Sequence, residues 1–153
     1  MQWYLLDKDR LRAELKLMER NGSNFRLCKD EYGNILWRGP LCIHGHYHND
    51  VRLVYPENFP FEQIKIYVFE PMLPKANLHV HDDGSICPMK PDEWSPNWTG
   101  LAMYLKAIEF LDAFYTGRMS YELPPLTVPV YPSSPRNGSG LISILKEAFK
   151  PPW

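Results

Sequence analysis

The spacing of apolar residues along this chain switches from a helical to a strand-like period and back. Near the start, Leu11, Leu15 and Met18 recur at i, i+4 and i+7, which predicts a helix with those three on one face. Asp7 or Asp9 is placed to cap it, and Asn21-Gly22 stops it. The period then falls to two. FRLCKD, the turn-prone EYGN and ILWRG read as two short strands around a hairpin turn. A longer run from Leu41 to Tyr55 carries Leu41, Ile43, Tyr47, Val51, Leu53 and Tyr55 at odd positions, predicting one strand with that face on the core. A fourth strand, Ile64 to Phe69, alternates Ile64, Ile66 and Val68 against Lys65, Tyr67 and Phe69.

From Glu70 to Trp98 periodicity is lost and proline is frequent, which predicts a long ordered loop of the kind that carries function. The helical period returns from Thr99 to Thr116, with Leu101, Leu105, Ile108, Leu111 and Tyr115 as its stripe and Lys106, Glu109 and Asp112 off it. Gly117 is a good terminator. Beyond it, Leu123 to Pro135 is Pro-rich, SSPRNGSG reads as a flexible linker, and LISILKEAF as a short helix that docks on the body or binds a partner. Strands set between two helices predict an α+β domain, a four-stranded antiparallel meander backed by helices.

Composition sharpens this. The chain has 153 residues and a net charge of −1, which leaves no electrostatic footprint for nucleic acid or an anionic membrane. Its 15 prolines are roughly twice the usual ~5%, which argues against a helical bundle. No run approaches the ~18–20 apolar residues of a membrane span, and MQWYLLDKDR has no signal-peptide pattern, so a cytoplasmic protein is expected. Cys28, Cys42 and Cys87 lack C-x-x-C spacing and do not form a disulfide scaffold.

Two groups of residues have chemical potential. Cys42, His44, His46 and His48 are all even-numbered, so within one strand they project from one face as a Cys/His stripe of zinc-ligand type. Same-face neighbours on a strand lie ~6.6–7 Å apart, wide for one ion, and a solvated strand face is the other reading. The second group is HVHDDGSICP, from His79 to Pro88. Here Cys87 sits beside turn residues in a loop, with His79, His81, Asp82 and Asp83 just upstream. Histidines can serve a thiol as base, acid or donor. The aspartates work against a preformed thiolate. The combination fits a thiol that receives an already activated acyl group. Asp82 and Asp83 are expected to shape the turn.

These words resemble the ubiquitin-conjugating enzymes, including their bacterial relatives, over roughly residues 3–117. YPENFPFEQIKIYVF is similar to the family's strand–turn–strand segment. DGSIC resembles the segment ending in its active cysteine, and EWSP, with Trp94, the tryptophan-proline before its second main helix. Where eukaryotic members carry His-Pro-Asn, this chain has Asn77, Leu78 and His79. The form His79-x-His81-x-x-Gly84-x-Ile86-Cys87, and the segment TGRMSYE, resemble the bacterial branch.

The resemblance implies a ubiquitin-conjugating-like catalytic domain over 1–122, with a tail over 123–153. It implies a thioester on Cys87 passed to a target amine, with no cofactor. His79 is the implied oxyanion donor, loop backbone N–H groups assisting, and a loop-ordering hydrogen bond is its other reading. His81 shares its face if the segment is extended. Trp94 is read as packing, Glu122 as a residue near the incoming lysine, and Cys28 as core or strand surface. The implied partners are an adenylating enzyme and a ubiquitin-like protein, or the nucleotide cyclase of a bacterial anti-phage operon. A non-catalytic binding module on the same scaffold is the alternative.

Overall fold

The computed structural model describes residues 1–21, 24–74 and 79–117. Its elements are α1 (Trp3–Leu6), α2 (Lys8–Asn21), β1 (Arg26–Lys29), β2 (Ile35–Ile43), β3 (Tyr47–Val54), β4 (Lys65–Phe69), β5 (Ser85–Ile86), a 3₁₀ turn (Pro91–Glu93) and α3 (Gly100–Tyr115). The strands form one antiparallel meander in the order β1-β2-β3-β4-β5. The α+β class is as expected, but the sheet has five strands rather than four. Glu122, the boundary at 122/123 and the tail lie outside the described residues.

The long run from Leu41 to Tyr55 is not one strand. His44 and Gly45 both take left-handed backbone, φ +53° and +76°, and His46 N–H donates to the Ile43 carbonyl at 3.3 Å, which reverses the chain. The first part of that run belongs to β2, which continues through Gly39-Pro40 instead of ending there. Proline is tolerated because β1 covers β2 only as far as Arg38, leaving Pro40 on an open edge. The inward face nevertheless comes out as its period indicates. The hairpin pairs Ile43 with Tyr47 and Leu41 with Asn49, so odd positions oppose odd positions and parity survives the turn. Leu41, Ile43, Val51, Leu53 and Tyr55 are all buried.

Both helix faces are rotated from their expected setting. On α2 the buried residues are Arg10, Ala13, Glu14, Leu17 and Met18, a full i, i+3, i+4, i+7, i+8 face, while Leu11 and Leu15 are half-buried beside it. The stripe is mis-set because two of its members are charged. Asp7 does cap α2, its Oδ1 accepting from Arg10 N at 2.9 Å. On α3 Leu101 and Leu111 are buried as expected, but the core face also takes in Met103, Ala107 and Phe110, and Leu105, Ile108 and Tyr115 are half-buried. Lys106, expected off the stripe, is 2% exposed, its Nζ 3.9 Å from Glu109. Thr99 caps α3 by accepting from Ala102 N at 3.1 Å, and Gly117 follows it at φ +70°.

A buried polar network joins these pieces. Glu14 Oε1 accepts from Arg10 Nε at 3.0 Å, and its Oε2 accepts from Tyr55 Oη at 2.9 Å and Gly100 N at 2.7 Å. Arg10 donates to the carbonyls of Pro96 at 2.9 Å and Trp98 at 2.6 Å, with its guanidinium 4.7 Å from the Phe59 ring centroid. The carboxylate therefore meets the N-terminus of α3, where the helix dipole favours negative charge. Burial pushes the Glu14 carboxyl up, and Arg10 beside it pulls back. Only glycine fits at position 100, since a Cβ there would overlap the Tyr55 hydroxyl. The long loop is thus tied down at its far end by α2.

Candidate active site

The first part of the long loop is itself a narrow hairpin. Cys87 N–H donates to the His79 carbonyl at 2.8 Å, His81 N–H to the Ser85 carbonyl at 2.8 Å, and Val80 bridges Ile86 between them. Gly84, at φ +87°, makes the tip. Asp83 shapes that tip as expected, its Oδ1 accepting from Ser85 N at 2.9 Å and Ser85 Oγ at 2.6 Å. Those hydrogen bonds hold its carboxyl below the ordinary range. On the other side, β5 pairs Ile86 with Ile66 and Ser85 with Tyr67 of β4, so Val80, Ser85 and Ile86 are buried while His81 is exposed and Cys87 half-buried.

That pairing decides which histidine meets the thiol. His81 Nε2 lies 2.7 Å from Cys87 Sγ, a diagonal contact across the hairpin. The His79 ring instead stands edge-on to Phe110 of α3, centroids 6.5 Å apart, while its backbone carbonyl holds Cys87 N–H. Cys87 is half-buried and His81 exposed. Both open on a cleft of about 550 Å³ whose walls include Glu62, Lys65, Asp82 and Asp83. Burial pushes the Cys87 thiol up from its ordinary value and so disfavours the thiolate at this sulfur beside the His81 ring. Such a pair can pass a proton as the sulfur attacks an activated acyl group.

His81 was visible in the sequence only as an alternate to His79. The signal that singles it out is register. Pairing 79 with 87 and 81 with 85 leaves His81 three residues before Gly84 at the tip, where a diagonal side chain reaches Cys87. Trp94 is half-buried rather than fully buried. Its Nε1 donates to the Pro60 carbonyl at 3.0 Å and its ring lies 6.2 Å from Trp98, fastening the loop to the β3–β4 connection.

The Cys/His stripe does not exist as a stripe. His44 and His46 sit in the β2–β3 turn, not on a strand face. His44 Nε2 pairs with Asp112 Oδ1 of α3 at 2.5 Å, and His46 Nδ1 lies 2.8 Å from the His44 carbonyl. Cys42 and His48 face each other across the ladder, Sγ to Nε2 3.8 Å. Among the described residues no group of three or more His, Cys, Asp or Glu is placed to hold a metal ion. Cys28 is exposed on β1.

No protein-family model matches the chain, and no curated protein matches it. Among the described residues no helix is long and apolar enough to cross a membrane.

Proposed function

We propose that the chain is an acyl carrier of ubiquitin-conjugating type, with Cys87 as the nucleophile. The observation that carries this reading is the setting of the thiol. Cys87 is held by its backbone to His79, half-buried at an open cleft, with an imidazole 2.7 Å from the sulfur. The α+β class, with one antiparallel meander and α2 in contact with α3, is the support the fold lends to this reading.

In this reading Cys87 Sγ attacks the carbonyl carbon of a thioester or adenylate supplied by an adenylating partner. The C–S bond forms, the partner's sulfur or phosphate leaves, and the thiol proton is released. A target amine then attacks the Cys87 thioester. The carried group is a ubiquitin-like protein or another protein C-terminus. His79 is the proposed oxyanion donor, with loop N–H groups assisting; one well-placed donor is worth about 3–4 kcal/mol. The proposed setting is bacterial anti-phage defence, where a nucleotide cyclase is the alternative partner.

The test is to express Cys87→Lys in the native host and read the protein by intact mass spectrometry. A stable amide-linked adduct on Lys at position 87 is expected. No adduct, together with full activity of Cys87→Ala, would overturn the reading in favour of a non-catalytic binding module.

A further inference from the structure

We infer that His81 is the general base of this site in both half-reactions, and that its position extends the acceptor class from amines to hydroxyl compounds. The inference rests on the thioester-carrier reading and adds to it a second catalytic residue and a substrate class.

The geometry carries the argument. His81 Nε2 is 2.7 Å from Cys87 Sγ, and the imidazole is on the exposed side of the hairpin, not locked into the core. Its backbone is fixed at both polar groups. The N–H donates to the Ser85 carbonyl at 2.8 Å and the carbonyl accepts from Gly84 N at 3.1 Å. The ring therefore hangs from a rigid frame over the sulfur. Once an acyl group is on Sγ, the thioester carbon is one bond from that sulfur. A nucleophile arriving from the cleft reaches this carbon beside Nε2.

The need for a base differs between acceptors. An amine can shed its proton to water before it attacks. A hydroxyl holds its proton until the transition state, so a base must stand next to the reacting carbon. Loading also benefits from one, because burial pushes the Cys87 thiol up and so disfavours the thiolate that must attack. In loading, Nε2 takes the thiol proton as the S–C bond forms, and returns it to the leaving group as the donor bond breaks. In discharge, the acceptor O–C bond forms and its proton moves to Nε2. The C–S bond then breaks and that proton restores the Cys87 thiol. Each half-reaction ends with neutral imidazole, and no oxidant or cofactor is consumed.

The experiment uses the full chain, loaded chemically with acetyl-glycyl thiophenyl ester and followed by intact mass and peptide mapping. Loaded enzyme is challenged with Nα-acetyl-threonine amide, which offers only a hydroxyl, or with hydroxylamine, which needs no base. Wild type is expected to form the threonine ester. His81→Ala should slow that step about 100-fold, within the 10²–10⁴ range for general bases, while hydroxylamine discharge stays within about threefold. Added imidazole should restore part of the His81→Ala loss, whereas His81→Gln should remain slow. If wild type discharges onto the threonine amide no faster than His81→Ala, the inference fails and the carrier reading stands. If Cys87 takes up no acyl group in wild type, the carrier reading fails first.

Discussion

Two clusters of ionisable side chains sit at opposite ends of the long loop, and they are built in opposite ways. Around Glu14 every strong donor and acceptor is matched. The carboxylate accepts from Arg10, Tyr55 and Gly100, and Arg10 donates to two loop carbonyls, with Glu14 and Arg10 at most 3% exposed. Around Cys87 the backbone is equally well held, but among the described residues the sulfur's side-chain hydrogen-bond partner is His81 alone, and the half-buried Cys87 lines an open cleft. A buried charge must be fully paired, because each missing partner leaves an uncompensated cost in low dielectric. A reactive group must be the reverse, fixed in place yet free to change partners. The same loop provides both, one end bolted and the other available.

The largest effect should come from unbolting the first cluster. Glu14→Ala leaves Arg10 buried without its counter-charge and frees the Tyr55 hydroxyl and Gly100 N–H. A loss of about 3–5 kcal/mol is expected, read as a lower urea midpoint with little change in slope. A loss under about 1 kcal/mol would break the comparison, since the network would then not hold the loop.

Chemistry at the second cluster should respond to pH and leave the fold intact. Burial disfavours the thiolate of Cys87, so its value lies above the ordinary ~8.5 of a free thiol. Below that value the group is a neutral thiol, and the reactive thiolate fraction rises as pH climbs through it. Iodoacetamide labelling of Cys87, resolved by peptide mapping, should therefore accelerate with pH through a midpoint above about 8.5. A rate already level at neutral pH would mean that the thiolate is preformed and no base is needed.

The smallest effect belongs to the turn that scatters the histidines. His44 and Asp112 are partly exposed, and such pairs contribute about 0–1 kcal/mol. His44→Ala should shift thermal unfolding by only a few degrees, on the order of 4 °C per kcal/mol. A larger loss would make this pair a third anchor and blur the contrast between the two ends.

How far the sequence was readable follows from the same physics. The period of two found the inward residues of β2 and β3 correctly even though it joined the two strands, because the turn keeps parity. It missed β5, whose two residues are too few to show a period and which exists only because Ile66 pairs with Ile86. The helical period found α2 and α3 and part of their faces, with Met18, Leu101 and Leu111 buried as expected. An apolar stripe passes over Arg10, Glu14 and Lys106; the burial of the first two depends on partners from elsewhere, Tyr55 and Gly100 for Glu14 and the Pro96 and Trp98 carbonyls for Arg10. Cys87 stood out from its loop setting. Its partner did not, since His79 and His81 share a parity and only the hairpin register brings His81 to the sulfur.

Local rules were enough for α2 and α3, the cap at Asp7, the stop at Gly117 and the inward parity of the strands, because these depend on neighbours a few positions away. Contacts between distant segments settled the rest. Glu14 is stable in the core because residue 100 is a glycine 86 positions later, and Cys87 meets an imidazole because β4 and Gly84 fold the loop back on itself. Burial of charge and placement of a base are both properties of a pairing, and a single stretch of sequence contains only one half of each pair.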